Sequence, residues 1–563
     1  VGGLLHLPLS FLNSDGIYYR HFDDLSIGEM KMFRRIVLVV FIVSAWISLL
    51  SAPITSAQAM QAARNWWAAN NARNTSLVIK DVQSFTRDGQ DLLWLITGRQ
   101  GGFVLVSGDD AAQPVIGYDC ESEFAYPVSC PAVSEWIDLC LDTLVDIRSR
   151  GLDNTDTRRA WEDLLAGRIP ERDRDRDISP LLTMNWNQNY PYNALCPADA
   201  NGPGGHVYAG CGAVAMAQIM RYWTCPVQGT GSHSYNCAGY GTLSANFGQT
   251  TYNWENMPNT CPGDNLDIPL LLYHCGIAVD MSYGSESSGT YASSVASALS
   301  QYFNYASCSY LNKSNYSSSS WSSMLRSSLN EGKPILYRGE GSSGGHLFNL
   351  DGFQGEDYFH FNWGWSGAYN GYFYLNNLNP GSYSFTNGQG GVIGVHPAQV
   401  LSPPQNVGLT QNGYQVTLSW NLPSATGCTG YKIYTDGLMT VTISGVDSTT
   451  FSCDLFELGD HLLQVSAVYP GGQSIQVVAG YAHISPPSYQ AVWTDPLDQP
   501  LGWTVGPYWN NSNGVFSLYA SPSPSNYYTS LDTPQIVLPA NAHSFITTMY
   551  IRDVSANRSG PGN

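Results

Sequence analysis

The sequence predicts an α+β chain of several domains that ends in all-β sandwich modules, and three observations carry that prediction. The chain has 563 residues, too many for one ordinary domain, and only 12% are charged while 12% are aromatic, a balance that favours β-rich extracellular modules. Runs with helical period and short strand-like runs follow one another up to the punctuation S-P-P-Q-N-V, Ser402 to Val407. Beyond it V-G-L-T-Q-N-G-Y-Q-V-T-L-S-W, G-Y-K-I-Y-T-D-G and L-G-D-H-L-L-Q-V-S-A-V alternate at period two with turns between them, the pattern of a β-sandwich. The net charge of −19, from 25 Lys+Arg against 44 Asp+Glu, argues against nucleic acid or anionic lipid as a partner.

In chain order, residues 1–31 carry no targeting logic and read as a non-native upstream extension, with Met30 or Met32 as the start. Lys31, Arg34 and Arg35 precede the apolar run Ile36–Leu50, and A-Q-A at Ala57–Ala59 offers small residues for cleavage, so 32–59 reads as a signal peptide of a secreted protein. The apolar run is short for a membrane span. Ala59–Asn71 has helical period, L-L-W-L-I-T-G and G-F-V-L-V-S-G-D-D are strand-like, and V-S-E-W-I-D-L-C-L-D-T-L-V-D-I is helical again, giving a compact α+β unit that ends near Arg168. The charge run E-R-D-R-D-R-D, Glu171 to Asp177, is a solvated loop of the kind proteases cut. A small folded unit between a leader and a cleavable loop reads as a propeptide, 60–177. Residues 178–399, rich in Gly, Ser, Asn, Tyr and Trp, predict helices near Cys211, at Ile268–Val279 and at Trp321–Asn330, then short aromatic strands. Residues 403–485 resemble a fibronectin type III domain, with Trp420 in the core and Tyr431 on the following strand, although Leu462–Leu463 stand where many members carry a tyrosine. Residues 486–563 read as the opening of a jelly-roll or adhesin-like β-module, without obvious closing strands and so truncated.

Twelve cysteines are spread along the chain with no C-x-x-C pair, which disfavours a zinc knuckle or a thioredoxin-like site. Cys428 and Cys453, alone in their region, are expected to form a disulfide. If six of the seven cysteines from Cys196 to Cys308 paired, one would stay free, and Cys211 is the candidate. It lies in Y-A-G-C-G-A-V-A-M-A-Q-I-M-R-Y-W, Tyr208 to Trp223, at the head of a helical run. There the free N–H groups and the macrodipole would lower a thiol pKa and make a nucleophile, whereas a buried structural cysteine is the plainer alternative. A cysteine nucleophile needs a base, an orienting group and oxyanion donors. His346 follows a glycine-rich stretch in R-G-E-G-S-S-G-G-H-L-F-N-L-D-G-F, where Gly344 and Gly345 leave room for a substrate backbone. In Y-F-H-F-N-W-G-W-S-G-A-Y-N-G-Y-F, Asn362 would fix the tautomer of a histidine, shielded by Trp363 and Trp365. Gln188, in M-N-W-N-Q-N-Y-P-Y-N, would donate to an oxyanion beside the Cys211 N–H.

The order Gln, Cys, His, Asn is that of a papain-like cysteine protease. The local phrases W-N-Q-x-x-P-Y-N, G-C-x-A-V-A-M-A-Q-I-M-x-Y-W, G-G-H-x-F-x-x-D-G-F and F-H-F-N-W-G-W-x-G-x-x-x-G-Y-F resemble the streptopain family of bacterial cysteine peptidases, peptidase family C10, and Ser107–Tyr118 resembles that family's propeptide. The resemblance covers Met60 to His396. It implies a two-lobed papain-like domain over 178–399, with Cys211 as nucleophile, His346 as its base, Gln188 in the oxyanion hole and Asn362 orienting His346. Trp363 and Trp365 would wall the site, and the loop Gly339–Gly345 would lie over the cleft. Ser366 stands where the family commonly has glycine. The resemblance further implies a zymogen whose propeptide is an intramolecular inhibitor, protein or peptide substrates, and no cofactor or metal. Arg172, Arg174 and Arg176 would invite a trypsin-like activator. The β-modules would take a cell-surface or glycan ligand. Two other functions would fit the same chain: an adhesin with an inert peptidase domain, and a papain-like acyltransferase or isopeptidase.

Overall fold

The computed structural model describes residues 9–13, 16–20, 52–71, 75–169, 176–341, 344–375 and 388–485, with four strand segments between 504 and 532. It divides into two units, 1–484 and 485–563. In the second, Trp509–Ser512 pairs antiparallel with Val515–Leu518, and Thr504–Val505 with Leu531–Asp532. Most of the expected signal peptide, like the linker residues Glu171–Asp175, lies outside the described residues. The upstream segment given no structural weight holds a hairpin, Leu9–Asn13 with Gly16–Arg20. No helix among the described residues is long and apolar enough to cross a membrane.

The pro-unit starts earlier than the sequence suggests. Helix α1, Ser56–Asn70, begins in a reciprocal capping box: the Thr55 side chain accepts from the Gln58 N–H, and the Gln58 side chain accepts from the Thr55 N–H. Just before it, Ile54 is buried and its N–H donates to Gly108 O at 2.8 Å. A cut after Ala59 would remove the cap and this strap together. The small residues of A-Q-A have a different use, since Ala59 is fully buried in the face that α1 lays on the sheet with Ala62, Ala63 and Trp67. The folded unit therefore includes residues from Ala52 onward. Four antiparallel strands follow, β1 Ile79–Arg87, β2 Gln90–Gly98, β3 Phe103–Ser107 and β4 Val115–Asp119, then helices α2 Pro131–Arg150 and α3 Thr155–Leu165. Proline in its first turn starts α2, and Gly151 in the left-handed conformation ends it.

The next segment is a helical lobe followed by a β-lobe. The helices are α4 Cys211–Trp223, α5 Asp267–Ala278 and α6 Ala292–Tyr302, packed on one core, and α7 Ser318–Asn330. A small hairpin, β5 His233–Cys237 and β6 Gly241–Ala245, lies between α4 and α5. The β-lobe holds β7 Ser309–Asn312, β8 Ile335–Gly341, β9 Gly344–Gln354, β10 Tyr358–Asn362, β11 Gly371–Tyr374 and β12 Gly390–Ile393. Its strands and those of the pro-unit form one antiparallel sheet in the order β1-β2-β3-β4-β11-β10-β9-β8-β12-β7. At the seam, Tyr118 faces Tyr372 and Gly117 faces Phe373; a Cβ on Gly117 would stand 2.6 Å from the Phe373 ring, so glycine lets the two strands close. One core runs beneath both, joining Leu93, Phe103, Ile137 and Leu141 of the pro-unit to Trp321, Phe359, Phe361 and Trp363. The pro-unit is thus no separate compact body: it covers an edge strand that would otherwise present unpaired N–H and C=O groups.

Residues 405–484 form the expected sandwich. Gln405–Asn412, Gln415–Asn421 and Thr450–Asp454 make one sheet; Leu438–Ser444, Gly430–Thr435, Gly459–Tyr469 and Val477–Ile484 make most of the other. Trp420 and Tyr431 meet in the core edge to face, centroids 5.0 Å apart. The expected Cys428–Cys453 bridge does not form, since all twelve cysteines are free and the Cys428 thiol turns to Gly430 O at 3.3 Å.

Candidate active site

The first turn of α4 is built by glycines. Gly210, its N-cap, has φ +90°, and a Cβ there would stand 2.7 Å from the Met281 sulfur. On Gly212 a Cβ would stand 2.6 Å from the Thr290 methyl. Side chains at either place would push the helix start off its neighbours, so Cys211 emerges between two residues that have none. The Leu347 N–H donates to Cys211 Sγ at 3.5 Å, and the N–H groups of Gly212 and Cys211 itself also bear on the sulfur. These donors favour the thiolate, as the helix-start argument expects. Burial outweighs them, however, and pushes the Cys211 thiol above its ordinary range, although part of its surface still meets solvent. The expected lowering is therefore reversed in this closed state, because the sequence shows the helix start and not what covers it.

Helix α2 of the pro-unit stands beside the site. His346, on β9 next to Leu347 and across from Gly339 of β8, points Nε2 to within 3.8 Å of the Glu135 carboxylate in the first turns of α2. Burial lowers the His346 pKa, and the Glu135 charge opposes that shift. Cys130, the N-cap of α2, is pushed up to about 11, by burial first and with a charge on Cys211 adding to it. Cys211 and His346 are thus brought to neighbouring places, but the imidazole faces the pro-unit.

Gln188 is beside them: its carbonyl accepts from the Ala209 N–H at 2.9 Å, two residues before Cys211, and its own N–H donates to Asn187 Oδ1 at 2.7 Å. Asn187 in turn donates to Ser366 Oγ at 2.9 Å, so Ser366 serves as a tether to the Trp363–Trp365 turn. Asn362 does not orient His346 here. Its Oδ1 accepts from Gln218 Nε2 at 3.2 Å and from the Gly364 N–H at 3.1 Å, and its Nδ2 donates to Met184 O at 3.1 Å. Gln218, inside α4, also accepts from Asn349 Nδ2 at 2.9 Å. Three buried amides thereby knot α4 to β9, β10 and the segment leading to Gln188. Trp363 is a core ring, packed 4.5 Å from Phe348, and does not line a cleft; Trp365 is half-exposed. Gly344 and Gly345 belong to a hairpin, paired with Gly341 and Glu340, so the predicted free loop Gly339–Gly345 is mostly ladder. The sequence reading missed Glu135, Gln218 and Asn349. A lone long amide in the otherwise apolar run A-V-A-M-A-Q-I-M was the available signal for Gln218.

Two family models match the two parts separately. The Peptidase C10 family model matches residues 186–373, and the Spi protease inhibitor family model matches 51–143, a range that begins before the expected signal cut at Ala59. The chain is 31% identical over 380 residues to thiol protease/hemagglutinin PrtT of Porphyromonas gingivalis, covering 62% of this chain and 43% of that protein, so it spans less than half of that relative's length. It is 29% identical over 324 residues to streptopain of Streptococcus pyogenes, covering 54% of this chain and 79% of streptopain. Among solved structures, a Prevotella intermedia prointerpain A fragment is 30% identical with a TM-score of 0.47, covering 57% of this chain and 99% of its own. Active interpain A of the same organism is 35% identical with a TM-score of 0.36, covering 40% and 100%. The inhibitor match holds Glu135 and the peptidase match holds Gln188, Cys211, His346 and Asn362, and with both matched in sequence the chain belongs to the peptidase C10 family.

Proposed function

We propose that the chain is the zymogen of a secreted cysteine endopeptidase that cleaves protein or peptide substrates. The observation that carries this is the closed site itself: a thiol at a helix start and a histidine one residue from its hydrogen-bond donor, with the histidine drawn aside by Glu135 of a covering unit. Once that unit leaves, the imidazole swings to Cys211 and takes its proton. The thiolate attacks the scissile carbonyl, and the Cys211 N–H and the Gln188 amide hold the oxyanion. His346 then protonates the leaving amine, and water releases the acyl group by the reverse exchange. The leader reading supports secretion, and the run Glu171–Asp177 supports activation by a cut there.

The test is labelling with a thiol-directed epoxide under mild reduction, followed by peptide mapping, on the precursor and on the briefly trypsin-treated chain. Label should reach Cys211 only after processing. A folded, processed chain that leaves Cys211 unlabelled would overturn the reading.

In the nicked Cys211→Ala chain, where no thiol proton can pass to the histidine, opening should also respond to pH, with a definite sign. Burial holds the His346 pKa below 6.5 in the closed form, so the closed form binds fewer protons than the open one. Closure is therefore firmest above pH 6.5 and weakens as pH falls from there towards the lowered pKa, by at most about tenfold per pH unit for one proton. Adding Glu135→Gln removes the charge that opposes the lowering, so the weakening should continue to more acid pH than with Glu135 in place. Release of the nicked pro-unit, followed by gel filtration at pH 5.5 and pH 7.5, measures this; equal release at both pH values, with and without Glu135→Gln, refutes it.

A further inference from the structure

At the far end of α4 from Cys211, Arg221 is almost fully buried between the peptidase and the sandwich. Its Nε donates to Met257 O at 2.7 Å, one Nη donates to Gly437 O at 2.9 Å, and the guanidinium also reaches the Gln476 side-chain amide. These partners are neutral oxygens, two of them supplied by the sandwich. A buried guanidinium without a carboxylate is costly unless its donors are met in good geometry. The docking of the sandwich is therefore specified and not incidental. Lys432 of the sandwich pairs with Glu255, and Ile475 packs into the core of the helical lobe.

The contact continues towards the catalytic residues. The sandwich presents the hairpin turn Asp436–Gly437, both residues with positive φ, and Asp436 is pinned by His461 at 2.8 Å and the Leu462 N–H at 2.9 Å. Gly437 lies so close to Asn259 that a Cβ there would stand 2.5 Å from its Oδ1 and 3.0 Å from its N. The strap Met257–Asn259 is also held by the segment leading to Gln188. Trp186 Nε1 donates to Pro258 O at 2.9 Å, the Asn185 N–H donates to Asn259 O at 2.8 Å, and Thr183 Oγ1 donates to Asn259 Oδ1 at 3.2 Å. Gln188 is two residues beyond Trp186.

We propose that the sandwich is a positioning part of the peptidase: its Asp436–Gly437 turn, with Arg221, clamps the Met257–Asn259 strap and so fixes the segment that carries the Gln188 amide to the oxyanion. Arg221 and Gly437 are positioning residues that touch no substrate. The inference rests on the peptidase reading above, and the sandwich on this view stays with the mature enzyme.

The experiment compares the full processed chain with Arg221→Met, Arg221→Lys, Gly437→Ala and the milder rim variant Lys432→Met. Three quantities are read on each: kcat and KM for a peptide substrate, the rate of epoxide alkylation of Cys211, and the melting temperature. Alkylation needs the thiolate and no oxyanion hole, so it separates the nucleophile from the Gln188 segment. A displacement of a few tenths of an ångström in that segment should lower kcat by about tenfold in Arg221→Met and Gly437→Ala. KM and alkylation should stay within about twofold, Arg221→Lys should recover part of the loss, and Lys432→Met should lose least. Wild-type kcat throughout the series, in a wild-type enzyme that hydrolyses its substrate, overturns the inference. So does a joint loss of hydrolysis and alkylation with early melting, because that is general destabilisation. A processed wild type that neither alkylates nor hydrolyses refutes the peptidase reading instead.

Discussion

Alanine at Cys211 is expected to lower kcat of the processed chain on a peptide substrate by at least about 10⁴-fold and to move the melting temperature of the precursor by only about 3 °C or less. The two halves of this expectation have separate causes. On the proposed reading catalysis is covalent through the Cys211 sulfur, to which the Leu347 N–H donates, so without it only the oxyanion donors and binding remain. The folded precursor asks little of the thiol. Its hydrogen bond from Leu347 is long at 3.5 Å, the imidazole faces Glu135, and the helix start is set by Gly210 and Gly212. The variant precursor should still be cut by trypsin and should release a pro-unit of wild-type mass, so a loss of turnover cannot be blamed on failed opening. Steady-state kinetics with differential scanning of the precursor tests both halves. Retained turnover would move the nucleophile elsewhere, and a collapse in melting would make Cys211 a structural residue.

What the sequence made legible is what is local. The apolar spacing after Cys211 gave α4, alternation past Val407 gave the sandwich, and Ile268–Val279 and Trp321–Asn330 each lie within a residue or a turn of α5 and α7. Helix α6 escaped notice because A-S-S-V-A-S-A-L-S-Q-Y places serines and alanines where larger apolar residues would mark a face; its buried residues are mainly Ala292, Val295, Ala298 and Leu299. Long-range pairing left no periodic trace at all. Nothing in V-I-G-Y-D or G-Y-F-Y says that β4 will meet β11, yet that seam joins the peptidase sheet to the pro-unit, whose Glu135 stands 3.8 Å from His346. A-Q-A shows the same limit from another side: small residues suit both a cleavage site and a tightly packed helix face, and only the burial of Ala59 separates them.

Asn362 is the residue on which the family expectation and the structure differ most, and the difference has a large measurable consequence. Gln218, Asn349 and Asn362 are each at most 2% exposed, and together they satisfy Met184 O, Ala215 O and the Gly364 N–H. Removing one amide strands donors and acceptors where water does not reach, at a cost of about 1–3 kcal/mol each. Asn362→Ala should therefore destabilise the processed enzyme by about 2–4 kcal/mol. The same loss should largely recur in Gln218→Ala, and the double variant should show a coupling of about 1–2 kcal/mol in a denaturation cycle, since both amides belong to one knot. The kcat per alkylatable Cys211 should stay within about threefold, because in this arrangement the amide holds α4 to β10 and leaves the imidazole to find the thiol from its own strand. An orienting amide predicts the opposite pattern, a fall in kcat of a hundredfold or more, roughly the effect of losing a base's correct tautomer, with unchanged melting. That outcome would mean that Asn362 leaves Gln218 when the pro-unit departs, and that the knot seen in the closed chain is itself part of how the site is kept switched off.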